Sequence, residues 1–278
     1  MKRVWTEERV KRLQREGRGE GEGANYKPWI RHTRSGAPMS GTLRTPGYKT
    51  GRDHHILSGG EEKLFFVLEF SPPVVDIREQ FPLNRDTTLG VAQAEGLPHG
   101  TYPGTDIPIV MTIDFMVTFR DPKRYAAFSV KWAPDLDRLS VLEGLELERR
   151  SCKAMNLPYY LVVHQEIDDR MVKNLRELHS CAPKARDDES QVEQLEIVAD
   201  RIEEALANER PRVPLSAYCS DFDERHSLEP GSSLTAAKYL MWQRRVLFDM
   251  RIDEVSQLCV AELKMGQMRA PRSLQAVG

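Results

Sequence analysis

From residue 58 to residue 163 the apolar positions change spacing block by block, and each change marks an element. Ser58-Gly59-Gly60-Glu61 has the spacing of a capping box and opens a helix predicted to run to about Phe70, where Pro72-Pro73 ends it. Positions 61, 64, 65 and 68 share one face of that helix, so Glu61 lies on the side that packs through Leu64, Phe65 and Leu68. Val74 to Phe81, Ile109 to Phe119 and Tyr125 to Trp132 read as strands. Asp137 to about Asn156 is helical, and Pro158-Tyr159-Tyr160-Leu161-Val162-Val163 is a further short strand. This order predicts a mixed sheet flanked by helices.

The flanks have a different texture. Val4 to Arg15 forms a short helix, which Glu16-Gly17-Arg18-Gly19-Glu20-Gly21-Glu22-Gly23 breaks with glycine at every second position. A phosphate-cradling loop needs a strand before it and a helix after it, so the run reads as a linker. Ser35 to Arg52 is also loop-like. Beyond about Glu166 the pattern turns helical: Lys184 to Glu189 is a charged break, and Gln191 to Ala207 is amphipathic through Val192, Leu195, Val198 and Ile202. Pro230-Gly231-Ser232-Ser233 starts another helix. The expected division is residues 1–167 and a smaller, mostly helical 168–278.

Composition supports that division. The chain has 278 residues, 40% hydrophobic and 29% charged, enough for one substantial core and a smaller second one. No apolar run approaches a membrane span, and the Met1-Lys2-Arg3-Val4-Trp5 start lacks a signal-peptide apolar region, so the expected location is cytoplasmic. Cys152, Cys181, Cys219 and Cys259 are far apart and form no C-x-x-C pair, which fits reduced core thiols. His54 and His55 would face opposite ways in a strand, a structural rather than ligand arrangement. The formal charge of −2 excludes a protein that holds nucleic acid by bulk electrostatics, yet residues 1 to 55 carry 13 Lys or Arg against 6 Asp or Glu. That basic front end is a candidate DNA-facing surface.

The candidate chemistry lies on two strands. A hairpin whose opposed residue numbers sum to 243 leaves the loop Arg120-Asp121-Pro122-Lys123 and sets Asp114 against Ser129 and Phe119 against Arg124. Asp114, Ser129 and Lys131 then share one face, with Ile113, Phe115, Val117 and Val130 on the other. A carboxylate, a neighbouring backbone carbonyl and an ammonium are parts that phosphodiester hydrolysis needs around a divalent ion. Glu61 either completes such a set or caps its own helix through Ser58. Asp114 and Lys131 read equally as a cross-strand ion pair. Spacing alone does not choose.

Longer motifs do. Arg15-Glu16-Gly17-Arg18-Gly19 with Tyr26, Pro28 and Trp29 comes first, then Lys49-Thr50-Gly51-Arg52 with His54-His55 and Leu57-Ser58. Asp76-Ile77-Arg78-Glu79-Gln80-Phe81-Pro82-Leu83 and Leu145-Glu146-Leu147-Glu148-Arg149-Arg150 follow in order. Together they resemble the TnsA family, endonuclease subunits of the heteromeric transposases of cut-and-paste bacterial transposons. The resemblance covers most of residues 8 to 165. It implies a restriction-endonuclease-like mixed sheet flanked by helices, followed by a smaller winged-helix-like domain. It places catalytic roles on Glu61, Asp114, Lys131 and Glu148, and Mg²⁺, replaceable by Mn²⁺, among Glu61, Asp114, Ser129 and the Val130 carbonyl. It places DNA contacts on Arg15, Arg18, Lys49 and Arg52.

The resemblance also implies partners: transposon-end DNA, the transposase subunit TnsB and the ATPase TnsC, the last engaged near the Cys259 to Gly278 tail. The expected reaction is cleavage of the 5′, non-transferred strand at each end, so that the element is excised together with TnsB. Thr235 to Arg245, with Lys238, Arg244 and Arg245, is either a DNA-facing helix or a solvated one. Ser129 departs from the resemblance, which implies glutamine at this position, where related nucleases often carry glutamate. Two other readings stay open: a stand-alone restriction or repair nuclease, and a non-catalytic assembly subunit bridging TnsB and TnsC.

Overall fold

The computed structural model describes residues 5–31, 43–184 and 187–266. Residue 4, the first part of the Ser35–Arg52 segment and most of the Cys259–Gly278 tail therefore lie outside it. The chain forms two compact units, Met1–Ile167 and Asp168–Gly278.

The first unit is built on one four-stranded sheet. Its strands are β3 (Val74–Pro82), β4 (Thr112–Phe119), β5 (Arg124–Lys131) and β6 (Tyr159–Val163), in that spatial order. β3, β4 and β5 are antiparallel neighbours, and β6 joins β5 in parallel, so the sheet is mixed. The β4–β5 hairpin has the expected register, running from Phe115↔Phe128 to Phe119↔Arg124, and the ladder ends just before Asp114 and Ser129. α4 (Leu139–Ala154) and α3 (Arg85–Glu95) pack on the sheet through Leu83, Ala92, Ile113, Met116, Ala127 and Leu147. α3 was not anticipated, although Asn84 caps its start and left-handed Gly96 closes its end.

α2 (Gly59–Phe70) buries Leu64, Phe65, Phe66 and Leu68. Its close approach to the sheet depends on Gly60: a Cβ there would stand 2.9 Å from His164 Cδ2 and 3.0 Å from Val130 Cγ1. α1 (Glu7–Arg15) buries Val10 and Leu13 against Trp29, Tyr102 and Val110.

Two expectations for the front end are corrected. Residues Leu43–Pro46 (β1) pair with Asp53–Ile56 (β2) as a small hairpin where a loop was expected. The glycine run is a packed turn, not a linker. Gly17, Gly19, Gly21 and Gly23 all have positive φ, Gly19 N donates to Lys27 O at 2.6 Å, and the Pro82 ring leaves no room for a Cβ on Gly19. Alternating glycines here supply left-handed conformations, not freedom.

The second unit consists of α5 (Asp169–Cys181), α6 (Glu189–Asn208), α7 (Leu215–Arg225) and α8 (Ser232–Trp242), with a two-stranded ribbon of β7 (Val246–Leu247) and β8 (Lys264–Met265). Leu178, Ile202, Leu206, Leu215, Leu240 and Val255 are fully buried in it. Asp223 accepts from Gly231 N and Ser233 N and so fixes the start of α8. Lys238 closes on Glu177 at 2.7 Å, and Arg245 is buried against Glu203 and Asp200. These two charges are thus paired inside the unit, while Arg244 is exposed.

Candidate active site

Three elements bring the candidate acids together. Ser58 caps α2, its Oγ accepting from Glu61 N at 3.1 Å, and the Glu61 carboxylate answers by accepting from Ser58 Oγ (3.1 Å) and Leu57 N (2.9 Å). The capping role is therefore real. It also fixes where the carboxylate sits, near enough to Asp114 for the two negative charges to oppose each other. Burial first, and then Asp114, push Glu61 up to about 7.

Asp114 stands where the β4–β5 ladder ends, and its Oδ2 accepts from Val130 N at 2.6 Å. Lys131 Nζ is 4.0 Å from the same oxygen, a loose contact for an ion pair. Burial raises Asp114 and the Lys131 charge pulls it back. Glu148, from α4, accepts from Ser129 Oγ at 2.6 Å and from Tyr159 hydroxyl at 3.0 Å, and burial lifts it to about 7. The Ser129 hydroxyl is thereby turned toward Glu148 as a donor.

Sequence reasoning did not single out Gln80. The β3–β4 register, with Glu79↔Phe115 and Phe81↔Ile113, sets it opposite Asp114. Its φ is +49° although it is not glycine, a conformation that costs about 1 kcal/mol. It is 3% exposed, donates from Nε2 to Glu61 Oε2 at 3.4 Å, and accepts from Thr112 Oγ1 at 3.2 Å. Strain of this kind persists where the surroundings over-determine it. The available signal was a run of polar residues, Arg78 to Gln80, inside a strand that otherwise reads as core.

The cations expected on DNA divide. Arg15 is exposed at the end of α1 and Arg18 is partly buried, its Nη1 donating to Trp29 O at 3.2 Å. Lys49 donates to Ser71 O and Val74 O at 2.9 and 2.8 Å. Arg52 donates to both oxygens of Glu79 at 2.8 and 2.6 Å, while His54 Nδ1 meets Glu79 at 2.8 Å and its Nε2 meets Thr50 Oγ1 at 2.8 Å. Burial raises the Glu79 carboxyl, but His54 and Arg52 overcome this and hold it far below the usual range. Lys49 and Arg52 are thus each held by partners within the fold. His54 has the structural role expected of it.

The donor set is hard oxygen throughout. Among the described residues no three His, Cys, Asp or Glu form a ready cluster for an ion. A small octahedral cation such as Mg²⁺ does not need one, because it binds through one or two carboxylates and fills its shell with water and substrate phosphate. Glu61 and Asp114 repel each other, and Lys131 at 4.0 Å from Asp114 offsets one of the two charges, which leaves room for the positive charge that such an ion supplies. The residues fit a divalent cation.

The comparisons with known proteins agree in both units. The family model described as TnsA-like endonuclease N terminal matches residues 71–164, and TnsA endonuclease C terminal matches residues 166–250. The Transposon Tn7 transposition protein TnsA of Escherichia coli is 32% identical over 268 residues, covering 93% of each chain. The chain belongs to the TnsA endonuclease family, the endonuclease subunits of transposases.

Proposed function

We propose that this protein cuts the 5′, non-transferred strand at each transposon end in a Mg²⁺-dependent reaction, with Mn²⁺ able to substitute, and that a TnsB partner cuts and joins the other strand. The observation that carries this reading is the meeting of Glu61, Asp114 and Lys131, with two carboxylates opposing each other beside one ammonium. Glu61, Asp114 and the Val130 carbonyl, with Ser129 beside them, would hold the ion. Bound there, it would lower the pKa of water and neutralise charge on the phosphate. Lys131 orients the attacking water and stabilises the negative charge that builds on the phosphoryl oxygens. Water oxygen bonds to phosphorus in line with the departing 3′ oxygen. The P–O3′ bond breaks, the water gives up its protons to solvent, and the 3′ oxygen takes one, leaving a 3′ hydroxyl and a 5′ phosphate. Glu148 and Ser129 fix each other at the edge of the site.

In this reading residues 1–167 form a restriction-endonuclease-like catalytic domain and 168–278 a winged-helix-like domain, with β7–β8 as its wing, that engages TnsC. Strand-specific cleavage of end-labelled transposon-end DNA with Mg²⁺, TnsB and TnsC tests it. The parent protein is expected to make the 5′ cut and Asp114→Ala to lose it. A cut by the parent without partners would favour a stand-alone nuclease, and equal cutting by both forms would remove Asp114 from the chemistry.

A further inference from the structure

A cavity of about 490 Å³ in the first unit runs from α1 residues to Glu148. Thr112 and Glu148 line one part of it. Thr112 is the residue that donates to Gln80, and Glu148 the one that accepts from Ser129, so the cavity meets the candidate site at two points. Trp5, Trp29 and Tyr102 are among its other walls, with Arg18 and Arg31.

These walls are held in place. Trp5 and Tyr102 stack with centroids 3.8 Å apart and planes 8° apart, and the Tyr102 hydroxyl accepts from Val110 N at 3.2 Å. Trp29 is 4% exposed, and its backbone N donates to Gln80 O at 3.3 Å. The Arg18 guanidinium is fixed on the Trp29 carbonyl, and among the described residues Glu16, half-exposed and 3.7 Å away, is its acidic neighbour. Arg31 Nε is buried without a hydrogen-bond partner. Burial, followed by the charge of Arg31, holds Arg18 below the ordinary arginine value.

Three arginines line this largely apolar cavity; Arg9 lies over the Trp5 ring at 4.1 Å, and the Arg18 and Arg31 guanidinium groups beside it call for an anion. A phosphodiester matches their planar forks, and its sugar and base match aromatic walls. The cavity volume lies within the roughly 300–1,000 Å³ typical of small-ligand pockets. Because the cavity opens onto Glu148 and Thr112, its occupant belongs to the molecule being cut. We propose that this cavity seats a nucleotide of the DNA strand beside the scissile bond, its phosphate between Arg18 and Arg31 and its sugar and base against the aromatic wall. This rests on the endonuclease reading above.

The test uses the full chain and a short fluorescein-labelled DNA duplex, with anisotropy read across a series of KCl concentrations. Arg31→Gln and Arg18→Gln are each expected to weaken binding and to lower the slope of log K against log salt by about 1, the signature of one lost phosphate contact. Lys153→Gln, which removes an exposed charge elsewhere, leaves the slope near the parent's. Trp5→Ala, which removes an apolar wall and no phosphate contact, lowers affinity with the slope unchanged. Thermal melts confirm that each variant is folded. Where the isolated chain holds the duplex too weakly, the salt dependence of cleavage by the assembled transposase supplies the same slope. Unchanged slopes in both arginine variants overturn the cavity proposal. If the parent still makes an Asp114-dependent cut, the endonuclease reading survives that failure; if it does not, both fall.

Discussion

Gln80 does two things that a strand residue rarely combines: it holds a left-handed backbone and donates to an active-site acid. Residues that orient metal-binding carboxylates are typically worth 10- to 100-fold in ion affinity. Gln80→Ala is therefore expected to weaken Mn²⁺ binding to the DNA-free protein by about that factor, measured by titration calorimetry. Gln80→Glu, which keeps the length but adds a third negative charge, should not restore the parent's thermal stability before ion is added. Equal Mn²⁺ affinity in parent and Gln80→Ala would make Gln80 a packing residue only. Nothing in the local sequence marks position 80 as left-handed, because its conformation follows from pairing with β4 and bonding to α2. The pairing of Arg52 was hidden for a related reason: its partner Glu79 is 27 positions away, and a charge read without its partner looks like surface.

At the level of elements, α2 matters most for how close it stands to β5. A methyl group on Gly60 meets the His164 ring and Val130 Cγ1, so α2 must move out by a few tenths of an ångström. Overpacking of this kind costs about 1–3 kcal/mol. Glu61 travels with the helix, and because a misplacement of about 1 Å at a reacting centre can cost on the order of 100-fold in rate, a shift of a few tenths costs a measurable part of that. Gly60→Ala is thus expected to leave a folded protein with a modestly lower urea midpoint and a larger loss of cleavage; a loss of cleavage no greater than the loss of stability would argue against the close approach. α2 and the β4–β5 hairpin were legible because a capping box, a proline stop and a four-residue loop are local signals. α3 has few apolar positions, and β1 and β2 are four-residue strands in a glycine- and proline-rich stretch, so neither stands out before its packing partner is known. The packed glycine turn needed Pro82, far along the chain, to be recognised. The meeting of Glu61 with Asp114 was open in the sequence, since capping explains the glutamate equally well. In the structure both explanations hold at once.

For the whole molecule, the acids couple folding to pH. Glu61 is held at about 7 against an ordinary 4.5, so the folded protein binds this proton more tightly than the unfolded chain does. Its contribution to stability is complete below about pH 4.5, declines as the unfolded chain alone ionises, and is lost by the time pH has risen through 7, a change of roughly 3 kcal/mol. Glu61→Gln removes that dependence. Without divalent ions its melting temperature is expected to exceed the parent's by about 5–10 °C above pH 7, and the gap should close toward pH 5. A gap that does not vary with pH would count against the shifted carboxyl. The two charged members of the site also differ in what else they do. Glu61 closes the first turn of α2, whereas Lys131 meets Asp114 at 4.0 Å and donates no hydrogen bond among the described residues. In lineages whose elements have stopped excising themselves, selection for folding still holds position 61 to a side chain whose oxygen can accept from Leu57 and Ser58, glutamine as well as glutamate, and asks less of the amine. Position 131 is where such descendants are expected to drift first, while position 61 moves only between those two residues.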